Sequence, residues 1–190
     1  MHDAETTPLK RGIREIQEED VEQVINYFVQ ADDNFLKGMG VDPDKLPDPA
    51  DWQALILDDL SQPLARRQFY YLVWLINGRP AGHSNINKIV YGDHAYMHLH
   101  LWNPASRQAG NGLFFIQACI TAYFDRFDLD TLFCEPYALN PAPNRILAKT
   151  GFDFVRSYET TPGWINFHQK VNSWTLSRET WQQICKKNRM

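Results

Sequence analysis

The chain has 190 residues, 44% of them hydrophobic, which is enough for one packed domain and short for two. A net charge of -4, from 19 basic and 23 acidic residues, offers no basic surface for nucleic acid or anionic lipid. No apolar run approaches the roughly 20 residues that a membrane-spanning helix needs, and the first residues lack the apolar core of a secretion signal. We therefore expect a single domain over residues 1–190, soluble and cytoplasmic, with no nucleic-acid or membrane partner.

The first third of the sequence predicts one strand and two helices. Residues 12–16, GIREI, have the composition of a strand, and apolar residues then recur at helical spacing from Glu18 onward. Residues 31–49 contain two aspartates in sequence, the tripeptide GMG and three prolines, so they are predicted to form an ordered loop. A second helix is expected from Asp51 to Leu60.

The middle of the sequence predicts three strands in succession. Residues 69–76 and 81–90 flank an Asn-Gly turn and are expected to pair as a hairpin. The next strand, AYMHLHLW at 95–102, alternates strictly between polar or aromatic and apolar side chains. The alternation places Tyr96, His98, His100 and Trp102 on one face and Met97, Leu99 and Leu101 on the other. Two histidines on one strand face make it the chemically interesting side.

The second half predicts two helices and three strands. A continuous apolar stripe begins near Asn111, and a strand follows at 131–137. Asn140 and Pro141 are suited to open a further helix, which Gly151 would close. Strands are then expected at 152–158 and at about 165–176. The order of elements predicts an α/β (α+β) fold with a mixed sheet and helices packed on its faces.

A glycine-containing segment lies between the strand at 95–102 and the helix from Asn111. Its residues are Arg107, Gln108, Ala109, Gly110, Asn111 and Gly112. Glycines let the backbone approach a ligand closely, and the free N–H groups and dipole of a helix N-terminus attract an anion. The segment could therefore hold a pyrophosphate, although a plain strand-to-helix turn would have the same sequence.

Three segments together resemble the GNAT (N-acetyltransferase) superfamily. RQAGNG at 107–112 matches the coenzyme A loop of that family, Q/R-x-x-G-x-G/A. NPAPNRILAKTGF at 140–152 is similar to the helix that an asparagine opens and Gly-Phe closes. IREIQEEDVEQVINYF at 13–28 looks like the first strand and helix of these enzymes. The resemblance covers most of the chain and implies about seven strands, splayed between the fourth and fifth, with helices on both faces.

The resemblance also implies acetyl-CoA as cofactor and direct transfer of its acetyl group to a primary amine. The pantetheine arm would lie between the splayed strands, beside Leu101, Trp102 and Asn103, and its pyrophosphate would lie at residues 107–112. Asn140 would reach the pantetheine or the thioester, and Asn144 lies on the helix turn nearest the cofactor. An ordinary helix N-cap accounts for Asn140 equally well.

Candidate catalytic residues come from the two strands beside the splay. His98 and His100 are the first candidates for the base, because histidine titrates near neutrality. Glu135 and Tyr137 are second candidates, and Glu135 could instead orient a histidine. An H-x-H pair with Glu135 could also bind a metal, but no third ligand has convincing spacing, so no metal site is predicted. Many relatives carry a tyrosine where this chain has Leu147, so the thiolate proton must come from water or from another donor such as Tyr137.

The acceptor is expected to be a small-molecule or peptide amine in an aromatic cleft. The predicted substrate-binding residues are Asp32, Asp33, Phe35, Trp52, Trp164 and Phe167. The sequence is similar both to the ribosomal-protein N-terminal branch and to the branch that acylates a lysine amine in siderophore synthesis. It leaves open which branch applies, whether the chain is a homodimer, and whether it is instead a sensor that binds acyl-CoA without turnover.

Overall fold

The computed structural model describes residues 9–102 and 111–187. Within them lies a seven-stranded sheet of order β1-β2-β3-β4-β5-β7-β6. The strands β1 to β7 are Arg11–Glu15, Phe69–Ile76, Arg79–Val90, His94–Leu101, Thr131–Cys134, Asp153–Thr160 and Gln169–Ser177. The helices α1 to α6 are Glu18–Val29, Asp33–Met39, Pro49–Ser61, Asn111–Phe127, Pro141–Thr150 and Arg178–Lys187. The predicted mixed α/β fold with about seven strands is confirmed.

The sheet changes direction at its centre. β4 and β5 are parallel, whereas every other neighbouring pair is antiparallel. The parallel pairing is short: it joins His94, Ala95 and Tyr96 to 131–133, and β4 then continues to Leu101. The two central strands therefore separate beyond Tyr96, as the sequence resemblance implied.

The hairpin of β2 and β3 and the register of β4 both depend on local backbone geometry. Asn77 and Gly78 have φ values of 50° and 77°, the positive values that a type I′ turn requires at both central residues. The pairing of β3 with β4 is irregular, because its register shifts by one residue between Asn87 and Val90. Lys88 has φ 48° there, so one extra residue of β3 forms a bulge.

Two apolar clusters cover the two faces of the sheet. On one face, α4 inserts side chains such as Phe115 and Tyr123 against β2 and β4, and α5 and α6 contribute to the same cluster. On the other face, α1, α2 and α3 pack against β2, with Val24 and Ile56 almost completely buried. Alternate residues of β2 reach opposite clusters, because successive side chains of a strand point to opposite faces. Helices therefore lie on both faces, as predicted.

Two helices were not predicted, and one predicted strand is shorter than expected. The prediction of a loop over 31–49 was wrong at α2, where Asp32 accepts from the Phe35 N–H as N-cap and Gly40 closes the helix in the left-handed conformation. The helix α6 follows β7 directly, where no element was predicted. β5 ends at Cys134, three residues before the predicted end at residue 137. None of the helices in the described ranges is long and apolar enough to cross a membrane.

Candidate active site

A cavity of about 200 Å³ lies between the β3–β4 hairpin and the helices α1 and α3. The hairpin contributes polar side chains from both of its strands. Asn85 is paired with His98 and His83 with His100, so these side chains project from the same face of the sheet. The remaining walls come from β5, from the start of α5 and from the segment between β6 and β7.

His98 is held in the cavity wall by a neighbour on β3. Its Nε2 lies 3.2 Å from Oδ1 of Asn87. Because an amide oxygen only accepts hydrogen bonds, Nε2 carries the proton and Nδ1 keeps its lone pair. His98 is therefore oriented as a neutral imidazole with one acceptor nitrogen.

His100 stacks on a second histidine that the sequence analysis did not identify. The rings of His83 and His100 are 4.7 Å apart at an interplanar angle of 24°, and the Trp102 indole donates to Nδ1 of His83 at 2.8 Å. Phe28 lies edge-on to His100 at 5.1 Å. Nδ1 of His100 is buried and has no hydrogen-bond partner among residues 9–102 and 111–187, which is an unusual state for a polar atom in a folded protein.

The three histidines have low basicity. Burial lowers the pKa of His98 to about 4, with a further contribution from the charge of Lys88. Burial and the neighbouring His98 lower the pKa of His100 to about 3. Burial, followed by the charges of His100 and His98, places the pKa of His83 well below its ordinary value. All three are uncharged at neutral pH, so this wall of the cavity is polar without carrying charge.

The gap between β4 and β5 opens beside this cavity. The Trp102 N–H donates to the Ala81 carbonyl on β3, at 3.1 Å. Backbone groups of an antiparallel strand alternate in direction, so Leu99 directs its N–H and carbonyl toward β5. The Met97 carbonyl confirms this direction, because it accepts from the Cys134 thiol on β5 at 3.0 Å. Leu99 and Cys134 both line the cavity, which therefore reaches the gap.

Glu135 and Tyr137 follow β5 at the same edge of the cavity. The Tyr158 hydroxyl donates to one carboxylate oxygen of Glu135, Oε1, at 2.6 Å. Burial, followed by its hydrogen bond to Glu135, raises the pKa of Tyr158 to about 12, so this hydroxyl remains a donor at physiological pH. Tyr137 lines the cavity and packs its ring edge-on to Phe167 at 5.6 Å. The structure thus brings all four predicted catalytic side chains, including His98, to one cavity.

At the start of α5, Asn140 and Asn144 have different roles. Asn140 caps the helix, accepting from the Ala142 N–H at 3.3 Å, and also lines the cavity. Asn144 donates to the carbonyls of Asn140 and Tyr137 and accepts from the side chains of Asn172 and Trp174. These four bonds use its full hydrogen-bonding capacity and link the start of α5 to β7. A contact of Asn144 with the cofactor stays a prediction.

The predicted substrate-binding residues separate into three groups. Trp52 and Trp164 line the cavity, and their rings meet edge-on at 5.7 Å. Two phenylalanines lie outside the lining, Phe35 in contact with Tyr27 and Phe167 with Tyr137. Asp32 and Asp33 are exposed at the start of α2, where Asp32 caps the helix and Asp33 pairs with Lys37 at 3.2 Å. The two aspartates do not line the cavity.

Part of the predicted cofactor loop can be located. Asn111 and Gly112 are the first described residues of α4. A Cβ at Gly112 would lie 3.1 Å from Cδ1 of Ile146, so glycine also permits close packing of α4 on α5. Leu101 is the last residue of β4, and Trp102 follows it. The other predicted residues, Asn103, Arg107, Gln108, Ala109 and Gly110, lie outside the described residues.

Several lining residues were missed by the sequence analysis, among them His83, Asn85 and Asn87 on β3. A signal was present, since the three polar residues recur at every second position of the predicted strand 81–90. Antiparallel pairing of this strand with the predicted strand 95–102 would place these residues beside His98. Over residues 9–102 and 111–187, no group of three or more His, Cys, Asp or Glu side chains is arranged to hold a metal ion.

Comparison with known proteins gives two results. A family model described as an acetyltransferase (GNAT) domain matches residues 11–153. No curated protein sequence matches the chain significantly.

Among solved structures, the chain is similar to three acetyltransferases with bound coenzyme A. Aminoglycoside acetyltransferase AAC(6')-Ib in complex with coenzyme A has a TM-score of 0.71 at 16% identity, over 92% of this chain and 98% of that chain. Spermidine N-acetyltransferase from Vibrio cholerae, with CoA and spermine, has a TM-score of 0.74 at 13% identity, over 90% of this chain and 98% of that chain. RimL, a ribosomal L7/L12 alpha-N-protein acetyltransferase in complex with coenzyme A, has a TM-score of 0.70 at 16% identity, over 88% of this chain and 93% of that chain. At these identities the similarity establishes a shared fold.

Proposed function

The chain belongs to the GNAT acetyltransferase family, and we propose that it is an acetyl-CoA-dependent N-acetyltransferase acting on a primary amine. One observation carries the proposal: the cavity lined by His98 and Glu135 reaches the gap where β4 and β5 separate. A donor entering through the gap and an amine held in the cavity would meet at this junction. Positioning of two reactants in this way is the main contribution that direct transfer requires of a protein.

The residues around the gap fit coenzyme A. The backbone of Leu99, turned toward the gap, suits the peptide-like amides of a pantetheine arm and offers an N–H to a thioester carbonyl. The N-terminus of α4, at Asn111 and Gly112, suits a pyrophosphate. Leu101, Trp102, Asn103 and residues 107–110 remain predicted contacts. When bound, acetyl-CoA supplies a thioester whose C–S bond breaks as the new C–N bond forms.

Glu135 and His98 have different roles: Glu135 binds the ammonium, and His98 accepts a proton. Glu135 keeps one carboxylate oxygen for a substrate ammonium while Tyr158 holds the other. An alkylammonium has a pKa of roughly 10, whereas that of His98 is about 4, so His98 does not deprotonate the free ammonium. The ammonium first loses one proton to solvent, which gives the neutral amine the lone pair that attacks. The nitrogen becomes far more acidic as its bond to the acyl carbon forms, and Nδ1 of His98 can then accept its second proton, directly or through one water.

The protons balance without an additional acid. An ammonium loses two protons in forming an amide: the first leaves to solvent before attack, and the second passes to Nδ1 of His98 and from there to solvent. The departing thiolate gains one proton from water or from the Tyr137 hydroxyl, so the reaction releases one proton in total. Leu147 is completely buried among core side chains, so no donor replaces the missing tyrosine at that position. A thiol pKa of roughly 8.5 makes a strong acid unnecessary.

The proposal is tested by following thiol release from acetyl-CoA with a panel of primary amines, and by calorimetry with coenzyme A. We expect binding of coenzyme A and amine-dependent release. Gly110→Asp, which adds an anion to the predicted phosphate loop, should abolish coenzyme A binding, and Ala109→Ser is a matched control without added charge. Binding with no release for any amine would instead support a sensor, and retained affinity in Gly110→Asp would refute the loop assignment.

A further inference from the structure

The cavity carries very little charge for a site that takes an amine. Among its described lining residues, Glu135 is the one carboxylate, and none is lysine or arginine. Its other polar side chains include asparagines, Gln169, Tyr71, Tyr137 and histidines that are neutral at physiological pH. The sequence predicted further negative charge from Asp32 and Asp33. Both aspartates lie outside the cavity, at the start of α2. The cavity is therefore equipped to neutralise one cationic group.

The mouth of the cavity is apolar where it meets solvent. Trp164 and Leu55 line it, yet their side chains are 53% and 47% exposed. Exposed large apolar side chains beside a cleft are typical of a surface that a ligand covers. Trp52 continues this apolar wall inward from Trp164. The part of the ligand that extends outward from Glu135 thus meets aromatic and aliphatic surface.

Two lysines hold the segment that carries Trp164. Lys88 donates to the Pro162 carbonyl at 3.5 Å, beside Trp164, and its ammonium lies 4.7 Å from the centre of the Tyr96 ring. Lys45 donates to the Asn166 carbonyl on the other side of the same segment, at 2.8 Å. Asp42 lies 3.8 Å from Lys45 and balances that charge. A second ammonium on the acceptor would approach Lys88 and be repelled.

The volume of the cavity also favours a small acceptor. Its volume of about 200 Å³ is below the roughly 300–1,000 Å³ of sites that enclose drug-sized ligands. From charge, apolar surface and size together, and resting on the proposed function, we infer that the acceptor is a compact primary monoamine with an aromatic or branched apolar substituent. Its ammonium is bound by Glu135 and its substituent by the Trp52–Trp164 wall. Polyamines and aminoglycosides, which the names of two structural neighbours specify, should be poor acceptors, because Glu135 is the one carboxylate among the described lining residues.

The first experiment measures kcat/KM for thiol release with 2-phenylethylamine and 3-methylbutylamine against spermidine and kanamycin. We expect the two monoamines to exceed the two polycations by tenfold or more, since one unneutralised ammonium at a cavity costs at least the 1.4 kcal/mol that corresponds to tenfold. A preference for spermidine or kanamycin would overturn the inference while leaving the proposed function intact.

A second experiment adds the missing charge. Leu55→Glu places a carboxylate at the exposed mouth, and Leu55→Gln has the same shape without the charge. Leu55 is half exposed, so neither substitution endangers folding. We expect the ratio of kcat/KM for spermidine to that for 3-methylbutylamine to be about tenfold higher in Leu55→Glu than in Leu55→Gln. Equal ratios in the two variants would contradict the inference.

A third measurement separates the two proposals. The melting temperature of the protein saturated with coenzyme A is recorded with each amine, so that binding is seen without turnover. Stabilisation by the monoamines but not by spermidine supports the inference even if no amine releases thiol, a result that would refute only catalysis. Absence of stabilisation by every amine, together with absence of release, would refute the inference. Glu135→Gln should abolish the stabilisation by 2-phenylethylamine.

Discussion

The two faces of the β3–β4 hairpin are built from alternate residues of the same strands and have opposite properties. On the α4 face, the polar groups satisfy each other: the Tyr123 hydroxyl donates to Ser84, which donates to the His98 carbonyl. On the cavity face, Nδ1 of His100 and Nδ1 of His98 have no hydrogen-bond partner within the described part of the chain. Stability is therefore concentrated on one face and unused hydrogen-bonding capacity on the other, which is where binding and chemistry are expected.

The largest expected effect tests the stability of the α4 face. Phe115 is completely buried and stacks on Trp74 at 5.0 Å, so Phe115→Ala should lower the free energy of unfolding by about 3–5 kcal/mol. Leu55→Ala at the mouth of the cavity is the control, and it should cost much less because Leu55 is half exposed. Urea denaturation measures both. Similar losses from the two variants would show that the faces do not differ in this way.

The next effect tests the chemistry of the cavity face. His98→Ala should lower kcat by about 10²-fold, the lower end of the range for general acid–base catalysis, while leaving the affinity for coenzyme A nearly unchanged. His98→Gln keeps a polar side chain of similar length and serves as the matched variant. Thiol-release kinetics and calorimetry measure the two quantities. A turnover number within twofold of the wild type would remove His98 as base.

A smaller effect follows from the low pKa values on the cavity face. Unfolded histidines titrate near pH 6.5, whereas the folded pKa of His98 is about 4 and that of His100 about 3. Below pH 6.5 the unfolded chain takes up protons that the folded chain refuses, so stability falls between about pH 6.5 and pH 4.

The expected loss between pH 7.5 and pH 5 is on the order of 2 kcal/mol for each of the two histidines. Urea unfolding at both pH values should show a smaller loss in His100→Leu than in the wild type. His168 is exposed, and His168→Asn is the control. If His100→Leu and His168→Asn lose the same stability on acidification, burial of His100 does not govern the pH dependence.

The smallest effect concerns a residue that positions Glu135. Tyr158→Phe removes the hydroxyl that donates to Glu135 and should weaken amine binding by about 1 kcal/mol, the net value of one hydrogen bond. In Tyr158→Phe, KM for the amine should rise several-fold while kcat changes little. Glu135→Asp keeps the charge, so its KM for the amine should rise less than that of Glu135→Gln. A fall in kcat at unchanged KM would assign Tyr158 to the chemistry instead.

The sequence was informative wherever a local rule decides the structure. The alternation of 95–102 predicted β4 and its polar face, and Asn77 with Gly78 predicted the turn of the hairpin. The helix α2 was also encoded locally, by Asp32 as N-cap and Gly40 at its end, but three nearby prolines drew the interpretation toward a loop. Its seven residues bury only Leu36, so no apolar stripe indicated a helix.

The candidate site was less predictable because it depends on contacts between distant segments. His83 and Asn85 become part of the site through the register of two strands. Asn144 is predicted to contact the cofactor, and the spacing gives no sign that its side chain bonds to Asn172 and Trp174, 28 and 30 residues away. Whether Asp32 reaches the cleft also depends on where α2 packs. Such questions are decided by tertiary packing and not by spacing along the chain.

The bulge at Lys88 determines which face of the sheet receives the histidines. Residues paired across an antiparallel ladder share a face, and a shift of one residue exchanges the faces of an entire strand. If the register of Val90 with His94 continued without the bulge, His98 would pair with Ile86 and lie under α4, and Met97 would face the cavity in its place. The bulge takes up the one residue by which the turn and the histidine register differ, so deletion of Lys88 would make the ladder regular with Asn85 still opposite His98.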